Sequence, residues 1–178
     1  MLRKYIENDF AELLRMRCLL YPHHTKQELS DEITAFFYNS HKNPFANYDL
    51  WTSFVYQREN GGLGGFIEIG FICAQDYKER LAHFTDTDYF EQIEKLLSLG
   101  KPIPVVESWY VDKDLRGEHI GTQLMRQAEQ WVKENGYSFI LSDTDDFRDV
   151  SKKAHKSLGY DNYYIASNGC HYFYKKIT

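Results

Sequence analysis

At 178 residues with 43% hydrophobic side chains, the chain has the length and apolar content for one ordinary core, and we expect a single domain over 1–178. Acidic residues outnumber basic ones 26 to 21, and the formal net charge of -5 argues against nucleic acid as the main partner and suits a cationic substrate. The opening MLRKYIENDFAELLRMRCLLYP lacks the unbroken apolar stretch of a signal peptide, and no apolar run reaches membrane-spanning length, so a soluble, cytoplasmic protein without a membrane partner is expected.

Residues 9–20 place Phe10, Leu13, Leu14, Met16 and Leu20 at helical spacings, and Pro22 stops that helix near Tyr21. Thr25 with Glu28 three residues on is a capping-box pattern, and Leu29, Ile33, Phe36 and Phe37 follow on one helical face until Asn43-Pro44 breaks it. β-Branched and aromatic residues dominate 50–57 and 66–74, with the turn-forming stretch Asn60-Gly61-Gly62-Leu63-Gly64-Gly65 between them, which reads as an antiparallel hairpin. A charged excursion at 77–101, with a short amphipathic helix over 88–97 and a cap at Thr87 or Asp86, reads as an insertion between strands. Next come an apolar strand from Ile103 to Val111, a short turn, and a helix over about 119–134 that Asn135-Gly136 terminates. A strand at 137–141, a helix at 150–158 stopped by Gly159, and closing strands near 163–165 and 170–176 complete the chain. The central strand-helix-strand unit points to a layered sheet of the α/β or α+β class.

Cys18, Cys73 and Cys170 are far apart, odd in number and in no metal-binding spacing, so they read as buried thiols. His23-His24 precede a helix without a third ligand in sight, and no metal is expected. The 14 tyrosines exceed what core packing usually recruits, and some are expected to line a pocket.

The most informative stretch is the turn Asp114-Leu115-Arg116-Gly117-Glu118-His119-Ile120-Gly121-Thr122. Its glycines allow close backbone approach, and the helix N-terminus after it offers N–H groups and a favourable dipole, so the turn suits a diphosphate. Arg116 to Gly121 resembles the pyrophosphate-binding motif R/Q-x-x-G-x-G/A of the GNAT superfamily, with His119 where the first motif glycine is usual. Downstream, Ala154-His155-Lys156-Ser157-Leu158-Gly159-Tyr160 resembles that superfamily's "FYEKLGF" helix end, with His155 replacing the customary aromatic. Met16-Arg17-Cys18-Leu19-Leu20-Tyr21-Pro22, Gly65-Phe66-Ile67-Glu68, Val106-Glu107, Ser142-Asp143 and the 155–160 segment, in this order and spacing, resemble the aminoglycoside 6'-N-acetyltransferases.

That resemblance implies the GNAT fold, a mixed central sheet of about seven strands with helices on both faces. It also implies acetyl-CoA as co-substrate, an aminoglycoside acceptor, a role in antibiotic resistance, and a homodimer. The donor would be held by Tyr110, Val111 and the backbone from Arg116 through Gly117, Glu118, His119, Ile120 and Gly121 to Thr122, with the pantetheine arm along the 109–111 strand edge and a backbone N–H there as oxyanion donor. The resemblance places the base, or a carboxylate that aims a water at the amine, at Glu107; from its neighbours alone Glu107 is as readily a solvated strand residue as a buried one. Glu68, a lone acid in an apolar strand, has the same two readings.

Asp143 and Asp145 follow a strand at its C-terminal end, where a helix-capping turn competes with a substrate-binding role that the resemblance favours. His155 stands where many superfamily members carry a tyrosine near the CoA sulfur, and Tyr164 is the alternative proton donor; a mid-helix histidine is more often a packing residue. Tyr21 and Trp51 are candidates to stack on sugar rings, or to pack in the core. Two further functions stay open: a GNAT enzyme for a polyamine, a metabolite amine or a protein N-terminus, and a non-catalytic acyl-CoA sensor.

Overall fold

The computed structural model describes residues 1–37, 52–72, 103–145, 147–167 and 169–177, together with Glu91, Glu94, Lys95 and Ser98. Its strands are β1 (Leu2–Lys4), β2 (Thr52–Gln57), β3 (Leu63–Ile72), β4 (Ile103–Val111), β5 (Phe139–Thr144), β6 (Asp161–Ile165) and β7 (His171–Lys176), and its α-helices are α1 (Phe10–Leu20), α2 (Lys26–Phe37), α3 (Ile120–Glu134) and α4 (Asp149–Ser157). Among the described residues seven strands form one mixed sheet in the order β1-β2-β3-β4-β5-β7-β6. β2 and β3 form the expected hairpin, with Phe54 opposite Ile67, although β3 starts at Leu63 and not at Phe66, taking Gly64 and Gly65 out of the turn; β4 runs parallel to β5, with Val105 beside Leu141. A parallel pair needs a crossover, and α3 supplies it. The expected α/β layered sheet is what the chain forms.

The chain divides into two compact units, residues 1–69 with 108–128 and residues 70–107 with 129–178. In the first, the expected helical stripe of α1 buries Leu13, Met16 and Leu20 with Leu29 and Ile33 of α2 and with Val55, Leu63 and Phe66. The capping box forms reciprocally: the Thr25 amide donates to Glu28 Oε2 at 2.7 Å and the Glu28 amide to Thr25 Oγ1 at 3.2 Å. β1, a strand with no signature in the sequence pattern, pairs Arg3 with Val55. It is only three residues long, below the length at which alternation is readable.

In the second unit Phe71, Trp131 and Tyr137 pack together, with ring centres 6.1 and 5.6 Å from Phe71. α3 and α4 both end in left-handed glycines, Gly136 and Gly159, each at φ 82°. The amides of Tyr137 and Tyr160 reach back to the carbonyls of Val132 and His155, and those of Gly136 and Gly159 to Lys133 and Lys156, the paired bonds of a Schellman motif. This corrects one boundary: Tyr137 belongs to the end of α3, so β5 runs from Phe139 to Thr144 instead of 137–141. Asp143 therefore lies within the strand and not in the turn after it.

Most of 77–101 lies outside the described residues, as does Trp51; of that stretch Glu91, Glu94, Lys95 and Ser98 are helical. Among the described residues no helix is long and apolar enough to cross a membrane.

Candidate active site

In the first unit the turn after β4 is built in steps. The Asp112 amide donates to the Gly64 carbonyl at 2.9 Å, a single 3-10 turn covers Lys113–Leu115, and Arg116 is extended. Gly117 then takes φ 95° and His119 φ 59°. Both are left-handed, a conformation open to glycine and costing other L-residues about 1–2 kcal/mol, histidine being among those that tolerate it better than branched side chains. The motif's glycine-type backbone is thus kept at His119 although the residue is not glycine. Gln123 donates to His119 O at 3.0 Å, which leaves the amides of Ile120, Gly121 and Thr122 as the leading donors of α3.

Arg116, Gly117, Glu118 and His119 are exposed, Gly121 and Thr122 half-buried, and Ile120 is anchored in the core. A Cβ on Gly121 would meet Trp109 Cζ2 at 3.1 Å, a tight contact that the indole would have to yield to. Arg116 folds back: its Nε donates to Val111 O at 3.1 Å and its guanidinium carbon lies 5.9 Å from the Tyr110 ring centre. Tyr110 is buried, and Val111 half-buried.

The root of this turn carries a network that sequence reasoning missed. Asp112, 7% exposed, accepts from Arg15 Nη1 and Nη2 at 3.2 and 3.1 Å and from Arg58 Nη2 at 2.8 Å. Arg58 also grips Asp114 through Nη1 at 2.6 Å and Nη2 at 2.9 Å. Burial alone would raise the Asp112 pKa, but the hydrogen bonds from Arg15 and Arg58 outweigh it and hold the carboxylate below its ordinary value. Nothing in local spacing signals these partners, which are 97 and 54 residues from Asp112.

Glu68 faces inward and is 2% exposed. Arg17, equally buried, places Nη1 3.6 Å from Glu68 Oε1 and pairs through Nη2 with Glu32 on α2. Burial pushes the Glu68 carboxyl above its ordinary pKa, while Arg17 and a hydrogen bond from Ser108 act against that. Ser108 shares a 2.9 Å hydrogen bond with the Tyr21 hydroxyl, and the Arg17 guanidinium carbon lies 5.7 Å from the Tyr21 ring centre. Tyr21 is half-buried, its ring edge-on to His24 at 5.8 Å.

In the second unit Glu107 is exposed between buried neighbours on β4, so its side chain faces solvent and is not on the buried side of the strand. Val106 pairs with Ser142, both buried, so the next residues, Glu107 and Asp143, stand on the opposite face of the two parallel strands, and both are exposed. Asp143 Oδ2 also accepts from Cys170 Sγ at 3.5 Å, and Asp145 is exposed and bridged to Arg148 at 3.1 Å. The Cys170 thiol is buried and pushed up to about 11, chiefly by burial and then by Asp143; Cys18 is only half-buried, not buried as expected, and Cys73 lies outside the described residues.

His155 is 1% exposed. Its Nδ1 lies 2.8 Å from the Ser151 carbonyl oxygen and so carries the proton, leaving Nε2 to accept from the Ser142 hydroxyl at 2.8 Å. The ring stacks on Phe173 with centres 4.5 Å apart and planes at 10°, and burial lowers its pKa to about 4. Tyr164 pairs by backbone with Tyr172, which in turn pairs with Asp143; its side chain is outside what is described. Among the described residues no group of three or more His, Cys, Asp or Glu side chains gathers as metal ligands do.

The chain matches known proteins along most of its length. The acetyltransferase (GNAT) family matches residues 26–160. The aminoglycoside N(6')-acetyltransferase type 1 of Klebsiella aerogenes is 26% identical over 152 residues, spanning 85% of this chain and 83% of that protein. The fold is shared with an aminoglycoside 6'-N-acetyltransferase of Acinetobacter haemolyticus, at a TM-score of 0.69 and 17% identity over 93% of this chain and 94% of that one. It is shared also with the phosphinothricin acetyltransferase of Sinorhizobium meliloti, solved in complex with AcCoA, at a TM-score of 0.68 and 11% identity over 99% and 88% of the two chains. The matched span takes in the capped α2, the hairpin, the glycine turn with its helix, and α4 to its glycine stop, and on that extent the chain belongs to the GNAT family of acetyltransferases.

Proposed function

We propose that the protein is an acetyl-CoA-dependent aminoglycoside 6'-N-acetyltransferase that confers antibiotic resistance, acting as a cytoplasmic homodimer. The observation that supports the donor half is the β4–turn–α3 unit, in which left-handed Gly117 and His119 lead into α3 and the amides of Ile120, Gly121 and Thr122 precede the first bond of the helix, Gln123 to His119. In this reading Arg116 through Thr122 hold the diphosphate, and Tyr110 and Val111 line the pantetheine arm. The acceptor half rests on the relative from Klebsiella aerogenes and on the exposed carboxylates Glu107, Asp143 and Asp145, which suit an amine carrying several positive charges.

Glu107 takes the proton from the acceptor ammonium, directly or through water, as its exposure permits. The freed amine attacks the thioester carbonyl, a C–N bond forms, the C–S bond breaks, and the thiolate receives a proton. For that last proton Tyr164 is the better candidate, because His155 is neutral with both nitrogens engaged. Tyr21, fixed by Ser108, is assigned to the acceptor side, and Glu68 acts behind it through Ser108.

The test is CoA release from acetyl-CoA with kanamycin, spermidine and a peptide panel, for the wild type and Glu107→Gln. Turnover with kanamycin that falls on the order of a hundredfold in the variant is expected. Turnover with spermidine or peptides alone would move the acceptor to another amine, and CoA binding without turnover would favour a sensor.

A further inference from the structure

The network at the root of the donor turn involves two residues, Arg15 and Arg58, that acetyl transfer itself does not use. We infer that they are positioning residues for the diphosphate-binding turn, clamping 112–115 to the β2–β3 hairpin so that donor affinity depends on them. The inference rests on the donor-site reading proposed above.

The clamp is built on both sides. On the hairpin side, Arg15 Nη2 and Arg58 Nε donate to the carbonyl of Leu63 at 3.2 and 3.4 Å. On the turn side the same two guanidinium groups converge on Asp112, and Arg58 continues to Asp114. Between them Asp112 N bonds Gly64 O, and the Leu115 side chain fills the space a Cβ on Gly64 would need.

Beyond Leu115 the turn is held by bonds that start at or beside this root, Arg116 Nε to the Val111 carbonyl at 3.1 Å and Glu118 N to the Leu115 carbonyl at 3.4 Å. Arg116 is extended, and a Cβ on Gly117 would meet nothing within 4 Å. A chain segment that must present several amides to one ligand loses affinity when its root is free to move, since the ordering cost is then paid on binding. A carboxylate shared by two planar guanidinium forks fixes direction as well as distance, which a lysine, as a point charge, does not.

The competing explanation is a pure field effect, in which the arginines attract the donor's phosphates from a distance or reach them directly. The two explanations differ in sign at Asp114. Converting Asp114 to asparagine removes a negative charge close to the turn and loosens Arg58, which Asp112 and the Leu63 carbonyl still hold, so a field effect predicts tighter donor binding. Loss of the clamp predicts weaker binding.

The experiment is isothermal titration calorimetry of CoA with the wild type, Arg58→Ala, Arg58→Lys and Asp114→Asn, alongside KM and kcat at saturating donor. The expected result is a CoA Kd about tenfold higher in Arg58→Ala, with the loss of charge-assisted hydrogen bonds as its source. Arg58→Lys should recover only part of that affinity, and Asp114→Asn should weaken CoA binding too, while kcat and the acceptor KM stay within about twofold of wild type. Unchanged or tighter CoA binding in Asp114→Asn overturns the clamp, as does a fall in kcat without a change in CoA affinity. Failure of the wild type itself to bind CoA overturns the donor-site reading and the clamp with it. Asp114 is exposed at the surface, so its asparagine variant folds even where loss of the whole Arg58 side chain does not.

Discussion

His155 ties the pH dependence of stability to one buried ring. Its pKa of about 4 against an ordinary 6.5 means that, as pH falls below 6.5, the unfolded chain takes a proton that the folded chain refuses. The unfolded state then binds more protons, so stability falls with falling pH across the window from 6.5 to 4. The contribution is fully present at pH 7, declines by about 2 kcal/mol by pH 5, and is lost to a limit of about 3 kcal/mol near pH 4. The perturbation is His155→Phe, which keeps the ring in the slot formed by Phe173 and Tyr160 but cannot titrate. At pH 7 the variant is expected to be less stable by about 1 kcal/mol, because Ser142 and the Ser151 carbonyl lose their partner. Urea denaturation at pH 7, 6, 5 and 4.5 is the assay. The gap between the two proteins should close and then reverse as pH drops, and parallel stability curves would refute the argument.

Three other perturbations read separate parts of the molecule. Gly65→Ala places a Cβ 2.9 Å from the Tyr110 carbonyl oxygen, a backbone atom that cannot yield cheaply, and should cost about 1–3 kcal/mol in denaturation experiments. His119→Val puts a branched side chain at φ 59° and should lower stability by about 1–2 kcal/mol, whereas His119→Gly should fold normally and bind CoA at least as well, both read by thermal shift with and without CoA. Glu68 has a raised pKa, so the folded state holds its proton to a higher pH than the unfolded one and stability from this group falls as pH rises above the ordinary carboxylate range. Glu68→Gln should therefore gain stability relative to wild type as pH rises above the ordinary carboxylate range, read by urea denaturation at stepped pH, and a difference that does not change with pH would refute the raised pKa.

Elements whose order depends on near neighbours in sequence were legible: the capping box of α2, the glycine stops of α3 and α4, and β4 with its helix. Each rests on spacings of two to four residues, which a single sequence displays. The misplacement of β5 had a local cause that outranked the apparent strand pattern, since Tyr137 is an apolar residue recruited by the end of the preceding helix. The clamp of Arg15 and Arg58 on Asp112 was not legible, because charged residues scattered through a chain do not declare partners dozens of residues away. Arg58 sits in a hairpin turn and Arg15 on an amphipathic helix, where a solvated charge is the ordinary expectation.

Two strand acids that looked alike in the sequence have opposite environments, and the difference is one of pleat parity. Glu68 follows Ile67 on β3 and points inward to Arg17, where an ammonium ligand would have to displace an existing cation. Glu107 points out from β4, with Asp143 beside it on the same face. A carboxylate exposed to water keeps an ordinary affinity for cations and can exchange protons with solvent, and one enclosed with a guanidinium does neither readily. The proposed binding of a polycation and removal of its proton are assigned to the outward pair on this ground, while the inward acid meets Ser108, which bonds the Tyr21 hydroxyl. The net charge of the chain does not say which acids face outward; the register Val106–Ser142 does.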